Sequence, residues 1–166
     1  MTFTNGPFNY PLNIACFHTC AQVNINVGDA AKPLQAAALT GSYSSSINTS
    51  TGLITLPNTP CLLVGSITYY SPDSSNSLRY QWYDDTNSQY IGSIGQTRGL
   101  DAAQHAAGAV NEIACDEEAI CIVQNINVKL IITASHGASV KQFDPTAGTG
   151  LNDDFAGKTK LMVYEF

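Results

Sequence analysis

The sequence predicts an all-β fold, a two-sheet antiparallel sandwich of about eight strands. Three observations carry that prediction. Short runs alternate apolar with polar residues at period two, as in Val23-Asn24-Ile25-Asn26-Val27, and in Leu78, Tyr80 and Trp82 set against Arg79, Gln81 and Tyr83. Turn-forming clusters separate those runs, at Pro57-Asn58, at 71–77 and at 84–88. Internal repeats, heptads and collagen triplets are absent, and 166 residues make one domain with a real core rather than two.

Taken in order, residues 1–20 read as an extended N-terminal arm and residues 21–166 as the domain. The arm sets Phe3, Phe8, Tyr10 and Phe17 among prolines and asparagines, with no repeating period. Large rings on an extended segment suit anchors that enter pockets on a partner, although a first strand folded onto its own domain fits the same residues. Val23, Ile25 and Val27 mark a half-buried strand, 34–39 a second, and 41–51 a loop rich in Ser and Asn. Leu53 to Leu56 form a short strand that Gly52 and Pro57 bound. After the turn, Cys61, Leu63 and Ile67 fall on one side of the next strand and Leu62 and Val64 on the other.

A strand apolar on both sides needs cover twice. The opposite sheet supplies one cover, and a loop or another subunit must supply the second. Leu63, Ile67 and Tyr69 therefore belong to either a core or a subunit interface, as do Met162, Tyr164 and Phe166 of the equally two-faced final strand. Between these, 78–83 and 90–94 form a hairpin, 101–107 has helix propensity, and 135–154 is a Gly-rich loop. From Ile120 on, the even positions Ile122, Ile126, Val128, Leu130 and Ile132 are expected to face the core.

The hairpin Thr51-Gly52-Leu53-Ile54-Thr55-Leu56-Pro57 leading into an apolar strand resembles the tumour-necrosis-factor and complement-globular-head jelly-roll family, especially its versions in phage structural proteins. The segments 80–92 and 157–166 add to the likeness, which spans roughly 21–166. The resemblance implies a jelly-roll sandwich assembled as a homotrimer, and a place in a phage virion. Within the virion, a short arm in place of the long stalk or coiled coil of a fibre protein favours a capsid decoration (cement) protein, made in the host cytoplasm, that binds the major capsid protein or another virion protein through that arm. The alternative is a receptor-binding tip or knob of a tail fibre that recognises a host glycan or protein.

Composition excludes other classes. Only 12% of residues are charged, against about 25% in ordinary soluble proteins. The net charge of −6 and the scattered basic residues argue against nucleic-acid binding, which needs clustered Lys and Arg. No run approaches the ~18 apolar residues of a membrane span, and the opening residues lack the pattern of a signal peptide. The five cysteines, 16, 20, 61, 115 and 121, are odd in number and read as free thiols of a reducing cytosol.

No catalytic constellation emerges, and neither cofactor nor metal is expected. Cys16-Phe17-His18-Thr19-Cys20 presents ligand types, but alternate residues of a strand stand ~6.6–6.8 Å apart, too far for all three to converge on one zinc. The pairs Asp84-Asp85 and Asp153-Asp154 lack the spacing of a calcium loop. The stretch from Gly92 to Gly99 has the glycines of a phosphate loop without its Lys, so turns or bulges account for it. His105 and His136 have no nucleophile or acid in their sequence context, and no Gly-x-Ser-x-Gly elbow is present. The aromatic hairpin 80–90 suits a core or interface better than a sugar platform.

Overall fold

A computed structural model describes residues 13–19, 23–25, 27–31, 34–40, 44–67, 69–70, 77–97, 112–113, 115–136, 140–142 and 159–166. Among them are fifteen strands and no helix. A five-stranded sheet runs in the order β12 (Ala119–Val123), β6 (Cys61–Ser66), β15 (Lys160–Glu165), β1 (Asn13–Thr19), β3 (Leu34–Thr40). A six-stranded sheet runs β11 (Cys115–Glu117), β9 (Gln89–Thr97), β8 (Ser77–Asp84), β13 (Asn127–His136), β5 (Leu53–Thr55), β4 (Ser46–Asn48). A smaller ladder of β10 (Glu112–Ile113), β7 (Tyr69–Tyr70), β14 (Val140–Gln142) and β2 (Val23–Ile25) is built from segments that precede or follow strands of both sheets. Every pairing among the described strands is antiparallel, and the two principal sheets form the two-sheet sandwich that the alternation predicts.

The core lies between the two sheets because each sheet turns one apolar set inward. Ala15, Phe17, Leu63, Leu161, Val163 and Ala119 come from the five-stranded sheet; Leu78, Tyr80, Trp82, Val128, Leu130 and Ile132 come from the other. Both large polar rings find backbone partners, Trp82 across the gap on β12 and Tyr80 within its own sheet on β11. The Trp82 indole Nε1 donates to the Ala119 carbonyl at 2.9 Å, and the Tyr80 hydroxyl donates to the Glu117 carbonyl at 2.9 Å. Packing the Tyr80 ring requires a glycine opposite, since a Cβ on Gly95 would collide with it.

The edge between β9 and β12 closes differently. The register of β9 slips between Ile94 and Ile91, so Gly92 and Ser93 bulge out of the hairpin. Gly92 takes φ +72 and lies against the Ile120 carbonyl, where no Cβ fits. The Ser93 hydroxyl accepts the Ile120 amide at 2.8 Å and donates to the Glu118 carbonyl at 3.4 Å. The glycine here is a bulge residue, as its sequence context suggests.

Several expectations need correction. Residues 13–19 are not part of a free arm: β1 is an interior strand with β15 on one side and β3 on the other. Phe17, proposed as a partner anchor, is fully buried in the core, because with Ala15 it occupies the inward period of that strand. Phe3, Phe8 and Tyr10 lie outside the described residues, as does the helix-prone segment 101–107. For Leu63 and Ile67, expected in either core or interface, the structure resolves the choice to the core, since each falls on the inward set of its segment. Val27 is an exposed turn residue before Gly28, not the third position of a strand. The loop 41–51 contains β4, and the loop 135–154 contains the end of β13 and all of β14.

The largest correction concerns 120–132. Ile120 and Ile122 point outward, and Ala119 and Cys121 point inward, whereas Val128, Leu130 and Ile132 are buried as expected. The chain leaves one sheet and joins the other through 124–126, where Asn125 takes φ +53 and its amide donates to the Pro57 carbonyl. That turn resets the alternation.

Candidate functional site

The outward face of the five-stranded sheet is the candidate site. It is built from the second apolar set of β6 and β15, and antiparallel register aligns it into rows across the strands. One row runs Ile122, Leu62, Tyr164, Ile14. The next runs Ile120, Val64, Met162, Cys16. Residues directly opposite in antiparallel strands share a face with Cβ atoms about 4.5–5.5 Å apart, so each row is a continuous apolar strip. Phe166 follows at the strand end, its amide donating to the Pro60 carbonyl at 3.1 Å.

The rows stop at a polar boundary. The next register position places Ser66 and Lys160 side by side on β6 and β15. Exposure rises toward the β12 edge: Leu62, Val64, Met162, Tyr164 and Ile14 are half-buried, Ile120 is 43% exposed and Ile122 74%. Contiguous apolar faces are uncommon on monomers in water, which makes this one the candidate contact surface among the described residues. Cys16 is covered, and burial pushes its thiol above the ordinary value against the opposing charge of Lys160.

The sequence-predicted residues therefore divide. Met162, Tyr164 and Phe166 are on this face, Leu63 and Ile67 are behind it, and Tyr69 stands in β7 opposite Ile113 and Gln142. Ile14, Ile120 and Ile122 belong to the face and were not assigned to it by sequence. Leu62 and Val64 were visible as a second apolar set, and the alternation Cys61–Ser66 was their signal.

The remaining candidates have structural duties. Asp84 is buried at the hairpin turn, where it accepts the Asn87 amide at 3.0 Å and the Asn87 side-chain nitrogen at 2.7 Å. Burial alone would raise its carboxyl, but these bonds, with those from Thr86 and Gln89, outweigh it and hold the group below its usual range. Asp85 pairs with Lys129 at 2.6 Å. On the outward face of the six-stranded sheet, Tyr83 and Tyr90 meet edge to face at 5.2 Å, with Lys129 5.6 Å from the Tyr83 ring centre. Tyr90 and Ile94 are each about half exposed there. Cys61 and Cys121 are buried free thiols that burial pushes up to about 11 and about 12; nearby Glu165 adds to the Cys61 shift. His105, Cys20 and Asp153-Asp154 lie outside the described residues.

Solved structures with the same architecture are known. Eiger TNF from S. frugiperda aligns over 94% of this chain and 93% of its own, with a TM-score of 0.62 at 13% sequence identity. Murine APRIL, crystallised at pH 5.0, aligns over 92% and 98% with a TM-score of 0.53 at 7% identity. These likenesses establish a TNF-like jelly-roll fold. No protein-family model matches the chain, and no curated protein matches it by sequence.

Proposed function

We propose that this chain is a self-associating jelly-roll subunit, a homotrimer closed by the outward face of its five-stranded sheet, with a binding and structural role. The observation that carries this reading is the pair of apolar rows through Leu62 and Val64, which water would otherwise cover. Obligate interfaces resemble a core cut in half, and these rows have that composition. Light scattering on the intact protein at micromolar concentration should give three times the 17.7 kDa chain mass. A stable monomer would refute it.

The trimer's setting is proposed as a phage virion, where it decorates the capsid as a cement protein. The low charge content supports this, because surfaces built from Asn, Ser, Thr and Gln suit subunits largely covered by neighbours. The hairpin and closing-strand resemblance supports it as well. A second reading, a receptor-binding tip on a tail fibre, draws on the half-exposed Tyr90 and Ile94 on the opposite sheet. Imaging particles with and without this protein separates the two: knobs on the head support decoration, density at a tail end supports the tip, and neither refutes the virion reading.

A further inference from the structure

The last strand ends its inward series on an acid. In β15 the residues facing the core are Leu161, Val163 and then Glu165, which is only 3% exposed. Its carboxylate is held by neutral donors. The Ser44 amide reaches both oxygens at 2.9 Å, the Ser45 amide donates at 2.8 Å, and the Ser45 hydroxyl donates at 2.6 Å. The Asn13 side chain donates as well. On either side in register stand Cys61 of β6, a neutral thiol, and Asn13 of β1. Lys160 faces outward at the other end of β15, so no described cation supports the carboxylate.

The position gives these bonds a consequence. Ser44 and Ser45 lead directly into β4, the edge strand of the six-stranded sheet, while Glu165 belongs to the five-stranded sheet. The carboxylate thus ties one sheet to the other, and among the described residues they share no backbone ladder. The ties near β12, Trp82 to Ala119 and Ser93 to Ile120, do not titrate in the acid range. On the same strand, Tyr164 and Phe166 flank Glu165 and face outward.

We propose that Glu165 is an acid-operated latch: ionised, it clamps the entry to β4 against the end of β15, and protonation frees that segment and loosens the strand end that carries Tyr164 and Phe166. The coupling to assembly rests on the self-association reading; the latch itself does not. Burial pushes the carboxyl up, but the Ser45 hydroxyl, the Ser44 and Ser45 amides and Asn13 outweigh burial and hold it below its usual range. A group depressed in the folded state contributes fully above the unfolded value of about 4.3, and the contribution is lost as pH falls through the lower folded value. The latch therefore stays shut at neutral and mildly acid pH and opens only in stronger acid.

Hydrogen exchange on the full chain, expressed as protection factors for 44–48 between about pH 7 and pH 2.5, tests it. Wild-type protection should hold and then fall below the usual carboxylate range. Glu165→Gln should lose protection there about tenfold or more at neutral pH, with no further fall in acid. Ser45→Ala keeps the charge but loses the 2.6 Å bond, and should move the opening to higher pH. Wild-type protection that is flat across the range overturns the latch, as does Glu165→Gln with unchanged protection. Should Glu165→Gln not fold, an unshifted opening in Ser45→Ala overturns it. Light scattering at the same pH values should show assembly lost together with protection; protection lost with assembly intact overturns the coupling. A wild-type monomer at pH 7 would refute self-association and leave the latch result readable.

Discussion

Leu62 and Leu63 are consecutive leucines with opposite fates, and exchanging each in turn tests the assignment of faces. Leu62 stands half-buried in the outward row between Ile122 and Tyr164; Leu63 is fully buried in the core. In Leu62→Asp the fold keeps its core, and the aspartate sits on the sheet surface in water. Association then loses roughly 1.5–3 kcal/mol of leucine burial. It also takes a carboxylate out of water without a partner, at several kcal/mol. Together these come to roughly 4–6 kcal/mol per interface, about 10³–10⁴ in the association constant. The substitution enters a trimer three times, so assembly should be abolished at micromolar concentration. Leu63→Ala should behave oppositely, because it opens a cavity in the sandwich. The cost is about 2–5 kcal/mol, which for a chain of this length lowers Tm by roughly 4–20 °C, and any folded protein should still assemble. Sedimentation velocity and thermal unfolding by circular dichroism read both outcomes. A Leu62→Asp protein that remains oligomeric with unchanged affinity would refute the reasoning, as would a Leu63→Ala protein with unaltered Tm.

Other substitutions probe the ties between the sheets. Trp82→Phe removes the 2.9 Å bond to Ala119, a net of about 0.5–1.5 kcal/mol, and leaves a small void of similar cost, so denaturant unfolding should show a loss of about 1–3 kcal/mol. Gly92→Ala should cost more than an ordinary surface change, because φ +72 and the Ile120 carbonyl both exclude a Cβ; a melting temperature equal to wild type would refute the account of the bulge. Cys16, Cys61 and Cys121 should resist a thiol reagent in the native protein at neutral pH, being buried with raised thiol pKa values, and all five cysteines should react after denaturation without reductant. A requirement for prior reduction would refute the free-thiol reading.

Period-two alternation made the strands and the two-sheet class legible from the sequence. It also showed that 61–64 and 161–164 are apolar on both sides, because burying a strand on one side only leaves polar residues on the other. What alternation cannot supply is the absolute face, since a one-residue slip exchanges every inward residue for an outward one. The sandwich decided that Leu63 and Val163 go in while Leu62 and Tyr164 stay out. It also decided the fate of Phe17: the ring looked like an anchor for another protein, yet β1 has a strand on either side and leaves Phe17 no exit from the core. For Ile120 and Ile122 the sequence misled outright, because the turn at Asn125 passes the chain from one sheet to the other and breaks the count. Glu165 was invisible for a related reason. Its donors come from residues 44 and 45, some 120 positions earlier, and only the packing of the two sheets brings them together.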